Sequence, residues 1–278
     1  MRVATGFQGK LEGGVLRRMI RAGVLGALLW AALCSLPASA QQDGKPSTGK
    51  PSRIVVATNP GFVPFEMLDT KSAQLVGFDI DLMDALGKRA GFVPEYRSMD
   101  FNGVIPALQA GSVGMAISGI SITSQRAEVV SFSDPYFTAG LSILVPVSND
   151  TVESVAQLKG KKVATQLGTT SVDFIKREIP QAELIPYPDQ SQMFMAVMTG
   201  AADAAVFDRP TLEYFVSIKG KGRVKVVGPM YQGEDYGIAM PKGSPWVPRI
   251  NRALADMKQE GALQAIVDKW FHAGKSAP

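Results

Sequence analysis

The chain has 278 residues, of which 46% are hydrophobic and 19% are charged, so it can bury a sizeable core and is long enough for two lobes. Its net charge of +4 suggests an anionic partner, but residues 1–40 hold five basic residues and only one acidic residue. From Gln41 onward, 24 basic residues balance 24 acidic ones, which removes the main support for a nucleic-acid partner.

The first 40 residues have the pattern of a secretory signal peptide. Three arginines within residues 17–21 precede an uncharged run over residues 22–36, which is shorter than the roughly 20 residues of a membrane-spanning helix. Small residues at Ala38 and Ala40 then suit a signal peptidase. We therefore expect cleavage after Ala40 and export to the periplasm, while the pattern leaves Met19 open as an alternative initiator.

The chain contains one cysteine and one histidine. Cys34 lies inside the predicted signal, so we expect the exported protein to have neither a disulfide nor a cysteine nucleophile. Lipidation of Cys34 stays open, although Leu33 is large for the residue before a lipid-bearing cysteine. His272 lies near the C-terminus, which excludes a histidine-based triad and a histidine-rich metal site. We predict no cofactor and no metal.

The predicted elements begin after a polar leader. Residues 41–52 are rich in Gln, Gly, Lys, Pro and Ser, which predicts a flexible segment. Residues 54–57 form a β-branched run that ends at a turn, so they predict a buried strand. Apolar residues at helical spacing from Phe78 predict a helix that ends at Gly91.

The same two patterns then alternate along the chain, which predicts two α/β lobes. No repeat of fixed period is visible. The predicted helices cover residues 102–110, 171–177, 190–199, 246–259 and 263–271, and the predicted strands cover residues 113–118, 141–147, 162–166, 202–207 and 224–227.

A strand end rich in glycine and hydroxyl groups is the first candidate for ligand chemistry. It contains Ser118, Gly119 and Ser121. Arg126 follows, and its guanidinium can form a two-pronged bond to a carboxylate while hydroxyl and N–H groups take the remaining lone pairs. The alternative is that Arg126 is a surface residue of a helix start that Thr123 caps, and the pattern leaves both open.

Two further segments can hold a charged group. Residues 166–171 lie between a predicted strand and a predicted helix, where N–H groups and the Thr170 hydroxyl can face an anion; ordinary helix capping is the alternative. Asp208 ends an apolar strand, where it can hold an ammonium group or cap a helix that begins at Arg209. Together, Arg126 and Asp208 match the two charged ends of an α-amino acid.

Seven motifs in combination resemble the extracellular solute-binding proteins for polar amino acids, the receptors of ABC importers, and most closely their glutamine-binding branch. The resemblance spans residues 53–271. The motifs are Phe65-Glu66, Gly77-Phe78-Asp79-Ile80-Asp81, Met99-Asp100-Phe101-Asn102-Gly103, the Ser121 to Arg126 segment, Phe132-Ser133-Asp134-Pro135-Tyr136, Gly168-Thr169 and Tyr236-Gly237-Ile238-Ala239.

This resemblance implies a type II periplasmic-binding-protein fold, in which two α/β lobes are joined by two crossing hinge strands. We place lobe 1 at residues 53–136 plus 236–275, and lobe 2 at residues 137–235, inserted into lobe 1. The hinge strands are expected near residues 136–140 and 232–236.

The resemblance also implies roles for the candidate residues. Arg126 pairs with the ligand α-carboxylate, helped by Ser121 and Thr170. Asp208 and the backbone of residues 118–119 take the α-ammonium group. Hinge closure around this ligand then biases the open and closed forms.

The resemblance further implies that Phe62 and Phe101 sandwich the ligand side chain, with core packing as the alternative for both. Three positions depart from the glutamine-binding pattern: Asn59 replaces an acid, Gln166 a lysine and Phe207 a histidine. A charged ligand side chain would therefore lack a counter-ion in the cleft. We predict a neutral polar amino acid, with glutamine first, because Asn59 and Gln166 can each donate and accept.

The implied function is that of a monomeric receptor that delivers its amino acid to an ABC transporter permease in the inner membrane and binds no nucleic acid. A different class is a secreted enzyme on the same scaffold, such as a cyclohexadienyl dehydratase. With Arg126 and Asp208 engaged in charge pairing, no spare general acid or base is visible, so we predict no enzymatic activity. A ligand-sensing domain is the third hypothesis.

Overall fold

The computed structural model describes residues 51–272. The predicted signal peptide, its cleavage site and Cys34 lie outside these residues. The strands are β1 (Ser52–Thr58), β2 (Met67–Leu68), β3 (Leu75–Val76), β4 (Phe92–Ser98), β5 (Met115–Ala116), β6 (Val130–Phe132), β7 (Phe137–Pro146), β8 (Lys162–Gln166), β9 (Glu183–Tyr187), β10 (Ala204–Asp208), β11 (Val224–Tyr236) and β12 (Ala239–Pro241).

Helices cover the faces of the sheets. They are α1 (Phe78–Ala90), α2 (Phe101–Gln109), α3 (Ser124–Val129), α4 (Thr170–Glu178), α5 (Gln190–Thr199), α6 (Arg209–Phe215), α7 (Trp246–Gln259) and α8 (Ala262–Val267). A short 3-10 helix spans Val155–Leu158, and π-helical turns span Val216–Gly220 and Asp268–His272. None of the helices within residues 51–272 is long and apolar enough to cross a membrane.

The strands form two five-stranded sheets and one small ribbon. The first sheet has the order β4-β1-β5-β12-β6, with β1 parallel to β4 and β5 and with β12 antiparallel to its neighbours. The second sheet has the order β11-β7-β10-β8-β9. Each sheet with its helices is one α/β lobe, and β2 and β3 pair as a separate ribbon.

Two long strands connect the lobes. β7 and β11 pair antiparallel from Val224↔Pro146 to Tyr236↔Phe137, with irregular register between Val227 and Gly233. At the end of this pairing Tyr236 also bridges to Ser121, which belongs to the loop after β5 of the first sheet. The hinge segments predicted near residues 136–140 and 232–236 therefore lie in β7 and β11, at the junction between the sheets.

Local sequence signals place several elements well. α1 buries Phe78, Leu82 and Leu86, and it ends where Gly91 adopts a left-handed φ of 81° and donates its N–H to the Gly87 carbonyl. The bounds of β8, α5 and α7 match the predictions, because regular apolar spacing and clear end signals define them.

Other elements differ from the prediction. β1 begins at Ser52, inside the predicted leader. β5 is shorter than the predicted strand over residues 113–118, because only Met115 and Ala116 pair with β1. β11 is longer than the predicted strand over residues 224–227, because it continues through its irregular register to the hinge. The structure also adds six strands that the sequence did not predict, namely β2, β3, β4, β6, β9 and β12.

Candidate ligand-binding site

One cavity brings together all ten residues that the sequence predicted for the site. It lies between the two sheets and contains about 290 Å³ of space not filled by atoms, part of it open to solvent. The predicted residues that line it are Asn59, Phe62, Phe101, Ser118, Gly119, Ser121, Arg126, Gln166, Thr170 and Asp208, and Thr169, Gln190 and Phe207 also line it.

Arg126 reaches the cavity from the first turn of α3. The capping alternative is correct for its backbone, since the Thr123 hydroxyl accepts the Arg126 N–H at 3.1 Å. The guanidinium donates to the carbonyl of Ser121 at 2.9 Å and to the carbonyl of Gly168, in the opposite lobe, at 3.1 Å. It also lies 5.5 Å from the ring centroid of Phe101. Arg126 is therefore a capped helix residue and a cavity residue at once.

Burial lowers the pKa of Arg126, while the nearby carboxylates of Glu234 and Asp208 act in the opposite direction. Because an arginine stays charged under all ordinary conditions, the cavity keeps one fixed cation. A guanidinium has five N–H donors, so the two carbonyl bonds leave donors for a carboxylate.

Asp208 stands at the end of β10 in the second lobe and precedes α6, but its side chain does not cap that helix. Its carboxylate accepts the hydroxyl of Tyr236 from the hinge strand β11. Burial, and next the charge of Glu234, raise the pKa of Asp208 to about 7. A ligand ammonium group beside Asp208 would supply the positive charge that this buried carboxylate lacks.

The loop of Ser118 and Gly119 is held from behind by two buried acids. The Ser118 hydroxyl donates to Glu66, and the Gly119 N–H donates to Asp79 at 2.9 Å. Tyr136 also donates its hydroxyl to Asp79, at 3.0 Å. Burial raises the pKa of Asp79 to about 7, and burial together with the Asp79 charge raises the pKa of Glu66 well above its usual value. Glu66 and Asp79, which both belong to the sequence motifs, therefore support the loop of the site without lining the cavity.

Phe62 serves the core and the cavity together. Its ring stacks on Phe65 with centroids 4.8 Å apart and meets Phe207 edge-on at 5.8 Å. At Gly119 a Cβ would lie 2.1 Å from the Phe62 ring, and the φ of 52° is one that L side chains rarely adopt. Only glycine lets this loop pass close against the ring.

The far end of the cavity is lined by amides. Gln166 donates to the Asn59 side-chain oxygen at 2.9 Å, across the two lobes, and Asn59 donates to the Met99 carbonyl at 3.0 Å. Gln190, at the start of α5, is 3% exposed, and its side-chain oxygen has no hydrogen-bond partner within residues 51–272. This end therefore contains an unsatisfied acceptor, and Asn59, Gln166 and Gln190 bring no charge to it.

Glu234, on β11, is a further residue that the sequence reasoning missed. Its carboxylate accepts the hydroxyls of Ser121 and Thr170, the latter at 2.8 Å. One sequence signal could have identified Glu234. Residues two apart on a strand share a face, and Glu234 lies two residues before Tyr236, which belongs to one of the motifs. Gln190 carried no comparable signal, since a polar residue that begins a helix is usually exposed.

No cluster of three or more His, Cys, Asp or Glu side chains suited to a metal ion occurs within residues 51–272. The Arg126 guanidinium and the Asp208 carboxyl group line a small cavity between two α/β lobes, and two strands link those lobes. These features define a small-molecule receptor with the type II periplasmic-binding-protein fold.

Comparison with known proteins agrees with this class. The chain belongs to the bacterial extracellular solute-binding proteins, family 3, whose model matches residues 54–273. The chain is 33% identical over 221 residues to ABC transporter arginine-binding protein 1 of Escherichia coli K12. The aligned region covers 78% of this chain and 88% of that protein.

Two solved structures are also similar. An ancestral arginine-binding protein bound to glutamine has a TM-score of 0.76 and 41% identity, covering 79% of this chain and 98% of the other. The ancestral amino acid-binding protein AncCDT-1, a precursor of cyclohexadienyl dehydratase, has a TM-score of 0.74 and 38% identity, covering 79% of this chain and 96% of the other.

Proposed function

We propose that this protein is a periplasmic receptor that binds a neutral polar L-amino acid, with glutamine as the first choice, and delivers it to an ABC transporter permease in the inner membrane. The observation that carries the proposal is the placement of Arg126 and Asp208, from different lobes, around one small cavity. A zwitterionic α-amino acid is the ligand that pairs with both charges at once. Its contacts to both lobes favour the closed form.

The amide end of the cavity supports a neutral side chain. Asn59, Gln166 and Gln190 provide both donors and acceptors there, and the buried Gln190 oxygen needs an N–H partner. A terminal carboxamide donates to such an oxygen and accepts from a neighbouring amide. A carboxylate side chain would face that oxygen with a second acceptor, and a guanidinium would find no carboxylate among these three residues.

The division of the strands supports the proposed lobe boundaries. β7 to β11 build the second sheet, and the first sheet draws its strands from before and after them. We therefore propose lobe 2 at residues 137–235, inserted into lobe 1. The mechanism requires no second copy of the chain, so we propose a monomer.

The test is a thermal-shift panel of residues 41–278, refolded to remove carried ligand, against the twenty L-amino acids. At a hundredfold excess over Kd, a ligand stabilises the protein by about 2.7 kcal/mol. For a domain of this size that is a Tm rise of roughly 5–10 °C. The largest shift is expected for glutamine, with no change in its NMR spectrum on long incubation.

Two results would contradict the proposal at different levels. A larger shift for arginine than for glutamine would reject the neutral class but keep the receptor. No shift for any amino acid, or turnover of a bound compound, would reject the receptor and favour the enzyme alternative.

A further inference from the structure

The carboxylate of Glu234 lies behind the hydroxyl pair formed by Ser121 and Thr170. Glu234 is 6% exposed and stands on β11, the strand that links the lobes. Ser121 comes from the loop after β5, and Thr170 is the first residue of α4. Oε2 of Glu234 accepts both hydroxyls, and Oε1 accepts the Gln232 side-chain amide at 2.6 Å. One buried carboxylate therefore binds hydroxyls from both lobes.

The number of hydroxyl hydrogens at this contact limits what Ser121 and Thr170 can donate to a ligand. A serine or threonine hydroxyl has a single hydrogen to donate. Because a carboxylate only accepts, both hydroxyls donate their hydrogen to Glu234, and the two oxygens offer only lone pairs to the cavity. A ligand carboxylate only accepts hydrogen bonds, so it needs a donor hydrogen and cannot bind to a lone pair. The Ser121 and Thr170 hydroxyls can donate to it only if their hydrogens turn away from Glu234.

We propose that Glu234 is a positioning residue that holds this hydroxyl pair and that the ligand carboxylate must compete with Glu234 for the two hydroxyl hydrogens. The inference rests on the proposed function, because the competitor is the α-carboxylate of an amino acid. Glu234 thereby weakens binding at the anion end. The negative charge of Glu234 weakens carboxylate binding further, since it attracts the same Arg126 guanidinium that the ligand carboxylate would pair with.

The test is the affinity of the Glu234→Gln variant for L-glutamine, measured by calorimetry. A neutral amide keeps the shape of the side chain but holds the hydroxyl hydrogens less tightly than a carboxylate. We expect the affinity to rise about tenfold, which corresponds to about 1.4 kcal/mol. The matched control is Glu183→Gln, which removes the same charge from an exposed position on β9 and is expected to leave Kd unchanged.

Repeating the Glu234→Gln substitution in a Thr170→Val variant separates competition for the hydroxyl hydrogens from a general effect on packing. In Thr170→Val, one of the two contested hydroxyls is absent, so the gain from Glu234→Gln is expected to shrink to about threefold. Equal gains in both backgrounds would overturn the competition. An unchanged or lower affinity of Glu234→Gln would overturn it as well.

The proposed function fails in a different way. If the unmodified protein binds no amino acid, the receptor proposal itself is rejected. If it binds and Glu234→Gln does not bind more tightly, only the role of Glu234 is rejected. Circular dichroism and Tm of each variant establish that the compared proteins are folded.

Discussion

Lowering the pH from 7 to 5 is expected to weaken amino-acid binding through protonation of Asp208. The pKa of this carboxyl is about 7, because burial and the Glu234 charge disfavour its ionised form. A bound ammonium group favours the ionised form, so binding lowers that pKa. Protonated Asp208 must then lose its proton before it can pair with the ligand, and affinity falls as the pH falls.

The size of the effect follows from the two protonation states. With a pKa of about 7 that a bound ammonium group lowers, the apparent Kd rises about fivefold from pH 7 to pH 6 and about tenfold more from pH 6 to pH 5. The second step corresponds to about 1.4 kcal/mol. The ligand ammonium and carboxylate groups remain charged over this range, so the slope belongs to the protein.

Calorimetry with L-glutamine at three pH values measures this slope. Titrations at pH 7 in two buffers of different ionisation enthalpy should also show that about half a proton is released for each ligand bound. The control is Asp208→Asn, which keeps an acceptor for the Tyr236 hydroxyl but cannot titrate. Its binding is expected to be weak and to lose the steep slope between pH 7 and pH 5.

Other titratable groups near the cavity make this control necessary. Glu234, Arg126 and Tyr236 face Asp208, and the Glu66 and Asp79 pair behind the loop also has raised pKa values. Any slope that remains in Asp208→Asn is assigned to the Glu66 and Asp79 pair. A Kd for the unmodified protein that stays constant between pH 7 and pH 5 would refute the pairing of Asp208 with the ligand.

Three substitutions test other parts of the site. Arg126→Ala is expected to weaken binding at least a hundredfold, since charge-assisted bonds contribute about 1.5–3 kcal/mol each; retained affinity in a folded variant, judged by circular dichroism, would reject its role. Asn59→Asp is expected to shift the thermal-shift ranking toward ligands with cationic side chains, and an unchanged ranking would place Asn59 outside side-chain recognition. Gly119→Ala is expected to destabilise the fold by about 2–4 kcal/mol, through contact with Phe62 and an unfavourable φ. Gly111→Ala, at a φ of 67° with open space around its Cβ, is the control and is expected to cost about 1–2 kcal/mol by thermal denaturation.

The sequence predicted those elements whose signals are local. α5 and α7 carry regular apolar spacing, and α1 ends at a glycine with a left-handed φ. β4 and β9 each contain a proline, which weakens the strand pattern, and both lie at sheet edges, where proline is tolerated. Their position depends on pairing with distant strands, and no short window of sequence encodes that pairing.

The candidate site was predictable for a related reason. Ser118, Gln166 and Asp208 follow or end strands of the two sheets, and such ends collect at one edge of an open α/β sheet. The side-chain partners were not predictable, because they come from remote segments. Glu66 approaches Ser118 from 52 residues away, and Glu234 approaches Ser121 from 113 residues away.

The partners found in the structure determine how affinity arises. Asn59 binds Gln166, Asp208 accepts from Tyr236, and the Arg126 guanidinium binds two backbone carbonyls. A ligand that binds Asn59 or Gln166 must therefore replace the bond between them, and such an exchange contributes only about 0.5–1.5 kcal/mol. A ligand N–H that binds the Gln190 oxygen instead engages an acceptor that has no partner within residues 51–272. We therefore expect the α-carboxylate and α-ammonium groups that all amino acids share to carry most of the affinity, because a neutral partner cannot match the charges of Arg126 and ionised Asp208. It follows that discrimination among side chains depends on small differences at Asn59, Gln166 and Gln190, and a single substitution there can change which amino acid binds best.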